Sequence, residues 1–115
     1  VRLGASVTAP GGRCQELALA AAFALAEAGA RGDGITLLAA GTDGRDGPTD
    51  AAGAVVSAAT WRAIRDAGRD PERDLVEHDS HRALDSAHAL LRVGPTGTNV
   101  GDVVIGIVDR GRARG

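Results

Sequence analysis

Between an apolar hexapeptide, Ile35-Thr36-Leu37-Leu38-Ala39-Ala40, and a stretch of small residues, the chain places Gly41-Thr42-Asp43-Gly44-Arg45-Asp46-Gly47-Pro48-Thr49-Asp50. Three carboxylates, three glycines and a proline in ten residues can build neither a core strand nor a helix, so this decapeptide must be a loop. Whatever precedes it ends there, and whatever follows starts anew. Glycine permits close approach of backbone to a ligand, Pro48 stiffens the bend, and Asp43, Asp46 and Asp50 crowd negative charge onto one turn. Crowded charge on a stiff loop is destabilising unless a cation or a hydrogen-bond donor answers it. Two readings stay open: a solvated turn of self-capping aspartates, or a ligand loop at the end of a buried strand.

The neighbouring segments favour an α/β fold, with a layered mixed sheet flanked by helices and ligand loops at strand carboxyl ends. Residues 1–3 read as the tail of an edge strand, in mid-course at Val1, which implies a preceding segment. A loop follows through Gly12. An Ala/Leu-rich run through residue 30 reads as a helix, apolar almost all round and therefore buried against a sheet, with Gly29, Gly32 and Gly34 as its stop. Gly11, Gly12 and Arg13 stand at its start, where backbone N–H groups lack partners; they suit an anion, or equally a tight turn and a surface arginine. Residues 35–40 read as a buried parallel strand delivering the acidic loop at its carboxyl end.

Further on, Ala54-Val55-Val56 can form a short strand, after Thr49 or Asp50 as a cap. Residues 60–68 form a helix with Trp61, Ile64 and Ala67 inward. Asp70 caps a short helix begun by Pro71 and running through Glu77, and Ser80 starts another to about His88, with Leu84 and Ala87 inward. Residues 90–93 read as a strand leading into a second glycine-rich loop, Gly94-Pro95-Thr96-Gly97-Thr98-Asn99-Val100, whose amides and hydroxyls suit a phosphate or carboxylate as well as a polar turn. Residues 102–108 close the sheet.

Composition narrows the function classes. A formal net charge of −2 argues against a nucleic-acid or anionic-membrane surface. All 13 basic residues are arginine, so the chain lacks both a Schiff-base lysine and the lysine of a phosphate-binding P-loop. No membrane span or signal peptide is visible. The single cysteine, Cys14, cannot make an internal disulfide and fits a reducing cytoplasm. With only Phe23 and Trp61 as aromatics, the core must be built from Ala, Val, Leu and Ile. His78-Asp79-Ser80-His81 could bring two imidazoles together, but catalytic zinc needs a third protein ligand, and capping by Asp79 or Ser80 explains the stretch more simply. The spacing of the acids in the central loop is not that of an EF-hand.

Three segments taken together resemble the C-terminal (MOFRL) domain of the bacterial and animal type glycerate 2-kinases. They are Gly11-Gly12-Arg13-x-Gln15-Glu16-Leu17-Ala18-Leu19, Gly41-Thr42-Asp43-Gly44-x-Asp46-Gly47-Pro48-Thr49-Asp50-Ala51-Ala52-Gly53, and Gly94-Pro95-Thr96-Gly97-Thr98-Asn99-Val100. Each is weak alone; their order and spacing are specific. The resemblance runs over residues 1–109, leaving 110–115 as a disordered basic tail, and departs from the family at Cys14, where asparagine is usual, and at the histidine stretch, where the family has an Asn-Asp-Ser-Tyr-like run.

The resemblance implies a larger N-terminal kinase domain, absent from this chain, and a cleft between the two domains where ATP with Mg2+ or another divalent cation phosphorylates glycerate in the cytoplasm. Homodimerisation is left open. On that basis Arg13 and Asp43 are catalytic candidates. Gly12, Gly44, Thr96, Gly97, Thr98 and Asn99 are candidate substrate or phosphate ligands, and Asp43 with Asp46 would hold the metal. Some relatives carry the label hydroxypyruvate reductase, but no dinucleotide fingerprint is visible here. A non-catalytic module that binds a small anion is the alternative reading, and a degraded gene product a third.

Overall fold

The computed structural model describes residues 12–42, 51–93 and 101–108. Helix α1 spans Arg13–Glu27, β1 Ile35–Gly41, β2 Gly53–Ser57, α2 Ala58–Asp66, α3 Pro71–Val76, α4 Ser80–Ser86, β3 Leu90–Leu91 and β4 Asp102–Val108. The strands form a four-stranded sheet in the order β3-β2-β1-β4. The α/β class stands, with helices packed on a sheet. The parallel strand expected at residues 35–40 is corrected: β1 runs antiparallel to both its neighbours, β2 and β4, and β2 runs antiparallel to β3. A continuous apolar run looks the same in either kind of sheet, because what it records is cover and not direction.

The pairing register decides which side chains meet the helices. Ala39 faces Ala54 across one pair and Val104 across the other, while Leu38 lies between Val55 and Ile105 on the opposite face. On the first face Ala39, Ala54 and Val56 are buried, and with Ala18, Leu19, Ala22, Trp61, Ile64, Ala83 and Leu84 they make the core. Small residues let α1 lie close to the sheet, and the two aromatic rings join α1 to α2, Phe23 and Trp61 standing 5.1 Å apart at an interplanar angle of 60°.

Helix α1 is not buried all round. Cys14 through Glu16, Ala18, Leu19 and Ala22 are buried, whereas Ala20, Phe23, Ala24 and Glu27 are exposed. Alanine carries no outward or inward signature, so the run concealed a helix with one covered side. Ala67, expected inward, caps α2 and is exposed. Helix α2 also begins two residues before Thr60, because the Ser57 backbone N–H donates to Thr60 Oγ1 at 2.9 Å and closes the first turn. Asp70 and Pro71 start α3 as expected, the Arg73 N–H donating to Asp70 Oδ1 at 3.2 Å. At α4 the expected cap is replaced: Asp79 makes no side-chain cap bond, and its carboxylate instead accepts from Arg69 and Arg82, each at 3.3 Å.

At Gly53 the sheet leaves no room for a side chain: a Cβ there would collide with the Ala39 carbonyl. Gly53→Ala is therefore expected to lower stability by about 1–3 kcal/mol through overpacking, read as a fall in the urea midpoint at unchanged slope. Val1 to Leu3, Thr49, Asp50 and the tail 110–115 lie outside the described residues. Among the described residues no helix is long and apolar enough to cross a membrane.

Candidate functional site

The antiparallel arrangement sends four strand termini to one end of the sheet. Gly41 pairs with Asp102, Ala40 with Gly53, and Gly53 with Leu91. The acidic loop therefore leaves β1 after Thr42 and returns at Ala51, and the second glycine-rich loop leaves beyond β3 and returns at Gly101, both from the same rim. The Thr42 N–H donates to the Gly101 carbonyl at 2.8 Å. The Thr42 hydroxyl donates to that same carbonyl at 2.8 Å and accepts from the Gly101 N–H at 2.9 Å. One threonine so ties the first residue of one loop to the last residue of the other.

The start of α1 reaches the same rim. Gly12 is its N-cap, in an extended conformation, and supplies no side-chain cap to the first turn. Arg13 pairs with Asp102 at 2.8 Å. Asp102 was not anticipated from the sequence, where it read only as the first residue of a strand; nothing local marks it, since its partner lies 89 positions away. The pair is open to water, the arginine side chain being 62% and the aspartate 36% exposed, so it holds Arg13 in place at little energetic gain. Of the sequence-derived candidates, Gly12 and Arg13 are thus seen at the rim. Asp43, Gly44, Asp46, Thr96, Gly97, Thr98 and Asn99 lie outside the described residues, between anchors that the structure brings together.

Behind the rim, the turn before α4 braces the first turn of α1. His78 Nδ1 lies 3.0 Å from Glu16 Oε1, and His81 Nδ1 lies 3.0 Å from Gln15 Oε1. The two histidines that suggested a metal in the sequence are instead hydrogen-bonding partners of a buried glutamate and a buried glutamine. Among the described residues no group of three His, Cys, Asp or Glu side chains could hold a metal ion. His78 takes φ +58°, in the left-handed region that few non-glycine residues adopt.

Asp79 and the buried Asp74 are held by Arg69, which donates through Nε and Nη2 to Asp74 at 2.9 and 2.8 Å. The hydrogen bond to Asp74 raises the Arg69 guanidinium above its usual value, against a smaller opposing effect of burial. Since the folded value is the higher one, the contribution of Arg69 is present while its carboxylate partners are ionised and is lost at the alkaline end only as pH climbs through the raised value. This buttress is therefore insensitive to pH across the neutral range.

Comparison with known proteins agrees with this fold. The profile of the MOFRL family matches residues 1–102, most of the chain. The chain belongs to the MOFRL family. This MOFRL domain is 51% identical over 98 residues to the D-glycerate 2-kinase of Thermotoga maritima, which it covers over 22% of its length while 85% of the present chain is matched. It is 45% identical over 104 residues to the glycerate 2-kinase of Pyrococcus horikoshii, spanning 90% of this chain and 22% of that protein. The crystal structure of the Thermotoga maritima glycerate kinase superposes with a TM-score of 0.85 at 46% identity, over 94% of this chain and 25% of that one. The chain thus spans about a quarter or less of the relatives it matches.

Proposed function

We propose that this chain is the C-terminal domain of a glycerate 2-kinase and forms one side of an interdomain cleft in which ATP phosphorylates the 2-hydroxyl of glycerate. The observation that carries the reading is the rim itself: Arg13 at the start of α1, Thr42 at the root of the acidic loop and Gly101 at the root of the second loop meet through Asp102 and the Thr42 clamp. The names of the relatives agree with it.

In phosphoryl transfer the protein does little covalent work; it supplies cations around the moving group and orders the acceptor hydroxyl. Arg13, at the start of α1 after Gly12, fits an anionic oxygen of phosphate or of the glycerate carboxylate. Amides and hydroxyls of Gly44, Thr96, Gly97, Thr98 and Asn99 would hold the remaining oxygens. Asp43 and Asp46 offer hard oxygen ligands of the kind Mg2+ takes alongside substrate phosphates, and Asp43 would also accept the hydroxyl proton. The divalent cation, when bound with ATP, offsets the charge of the phosphates. The chain contains no lysine, so a lysine for the phosphates has to come from the partner domain. Cys14, buried and the single cysteine of the chain, has no second thiol for an internal disulfide and accords with a cytoplasmic setting.

The test is phosphorylation of glycerate by the polypeptide that carries both domains, followed as 2-phosphoglycerate formed from ATP and Mg2+. Turnover by the two-domain polypeptide is expected, with none from the 115-residue chain alone. Calorimetric binding of phosphate-bearing anions without any transfer by the two-domain polypeptide would make this an anion-binding module instead.

A further inference from the structure

Strand β4 is the place where sequence and position disagree. The run Val103-Val104-Ile105-Gly106-Ile107-Val108 contains no charge, no proline and no polar side chain. Near-continuous aliphatic runs of this kind belong to strands that are covered on both faces. Strands that end a sheet are instead blunted by charges, prolines, bulges or brevity, because a long apolar edge invites pairing with further backbone. Yet among the described residues β4 stands last in the order β3-β2-β1-β4 and is exposed along its whole length.

The exposure is two-sided. Val104 and Val108, on the face that carries the helices, are 52% and 60% exposed; Ile105 and Ile107, on the opposite face, are 47% and 59% exposed. A layer laid on one face would hide only one of these pairs. A strand added to the edge of β4 that no described strand pairs hides both, because its own domain then flanks β4 above and below, and because alternate amides of β4 point away from β1.

We propose that β4 is the docking edge of the upstream domain, which adds a β-strand to it and packs aliphatic side chains against both faces. The proposal rests on the reading that such a domain accompanies this chain. The fold matches a relative of which it makes up 25%, so most of that relative's polypeptide lies outside the matched part. The strand also begins at Asp102, the residue that holds Arg13, so a domain seated along β4 starts at the rim and supplies the missing wall of the cleft there. A second copy paired edge to edge through a two-fold axis would place the two Asp102 residues at opposite ends of a strand about 23 Å long and leave each rim without that wall.

The experiment places p-benzoylphenylalanine at position 105 or 107 of the two-domain polypeptide and maps the photo-cross-links by mass spectrometry. Links from both positions into the upstream domain, within one molecule, are expected. Links confined to residues 1–115, or running between copies, overturn the proposal. Hydrogen exchange on the unsubstituted two-domain polypeptide covers the case in which the bulky probe disturbs folding: peptides spanning residues 102–108 are expected to exchange at least about tenfold more slowly than open chain at every amide, and open-chain rates at alternate amides overturn the proposal. Neither readout uses substrate. Absent links in a polypeptide that still phosphorylates glycerate remove the docking edge alone, and links in a polypeptide without kinase activity remove the kinase reading alone.

Discussion

Arg13→Ala in the two-domain enzyme is expected to lower kcat/KM for glycerate by roughly a hundred- to a thousandfold, the loss typical of removing one preorganised charge-stabilising donor. The magnitude follows from comparing two contacts that Arg13 can make. Its pair with Asp102 is exposed on both sides and is worth about 1 kcal/mol or less. A forked contact to phosphate or carboxylate in a closed cleft is worth several times more. Asp102 therefore holds the guanidinium at the rim without preventing its use. Asp43→Asn is expected to lose a comparable factor in kcat if, as proposed, Asp43 serves the acceptor side of the same reaction. Steady-state kinetics on both variants decides the matter, and unchanged turnover in both would end the assignment of these residues.

The second large effect is on stability. Leu19 is fully buried where α1 meets the sheet, so Leu19→Ala leaves a cavity and is expected to cost about 3 kcal/mol. In a domain of this size that is a large fraction of the whole, since native stability is commonly only about 5–15 kcal/mol. A fall in Tm of about 10 °C or more should be seen by calorimetry. Phe23→Ala, four residues further along the same helix, removes a larger side chain, but one that is 36% exposed, and should cost less. An equal or larger loss at Phe23 would show that the core does not lie where Leu19, Ile64 and Leu84 place it.

The contrast between those two positions also shows what can be read along an alanine-rich helix. Length and propensity give the helix at residues 13–27, but a period needs large and polar residues in alternation, and here Ala20 and Ala24 look no different from Ala18 and Ala22. Only packing against β1, β2 and α2 separates them. The histidine stretch failed for a related reason. Capping by Asp79 or Ser80 explains that stretch locally, but Asp79 makes no side-chain cap bond, and His78 and His81 find their partners at Glu16 and Gln15, more than sixty residues distant. Local spacing carries no trace of such a contact. The ends of the strands that flank the acidic and glycine-rich segments, by contrast, were legible from composition: β1 stops at Gly41 and β2 starts at Gly53, β3 stops at Leu91 and β4 starts at Asp102.

The sequence by itself determined which segments are helix and which are strand, and where runs rich in glycine, proline and aspartate interrupt them. These are properties of short windows, set by backbone freedom, capping and the cost of charge. Tertiary structure alone decided that β1 runs against both its neighbours, that Thr42 and Gly101 clasp across the roots of the loops, and that Asp102 receives Arg13. Direction and pairing are settled by which distant strands share hydrogen bonds, a free energy that is spread over the whole sheet and that no window of the chain contains.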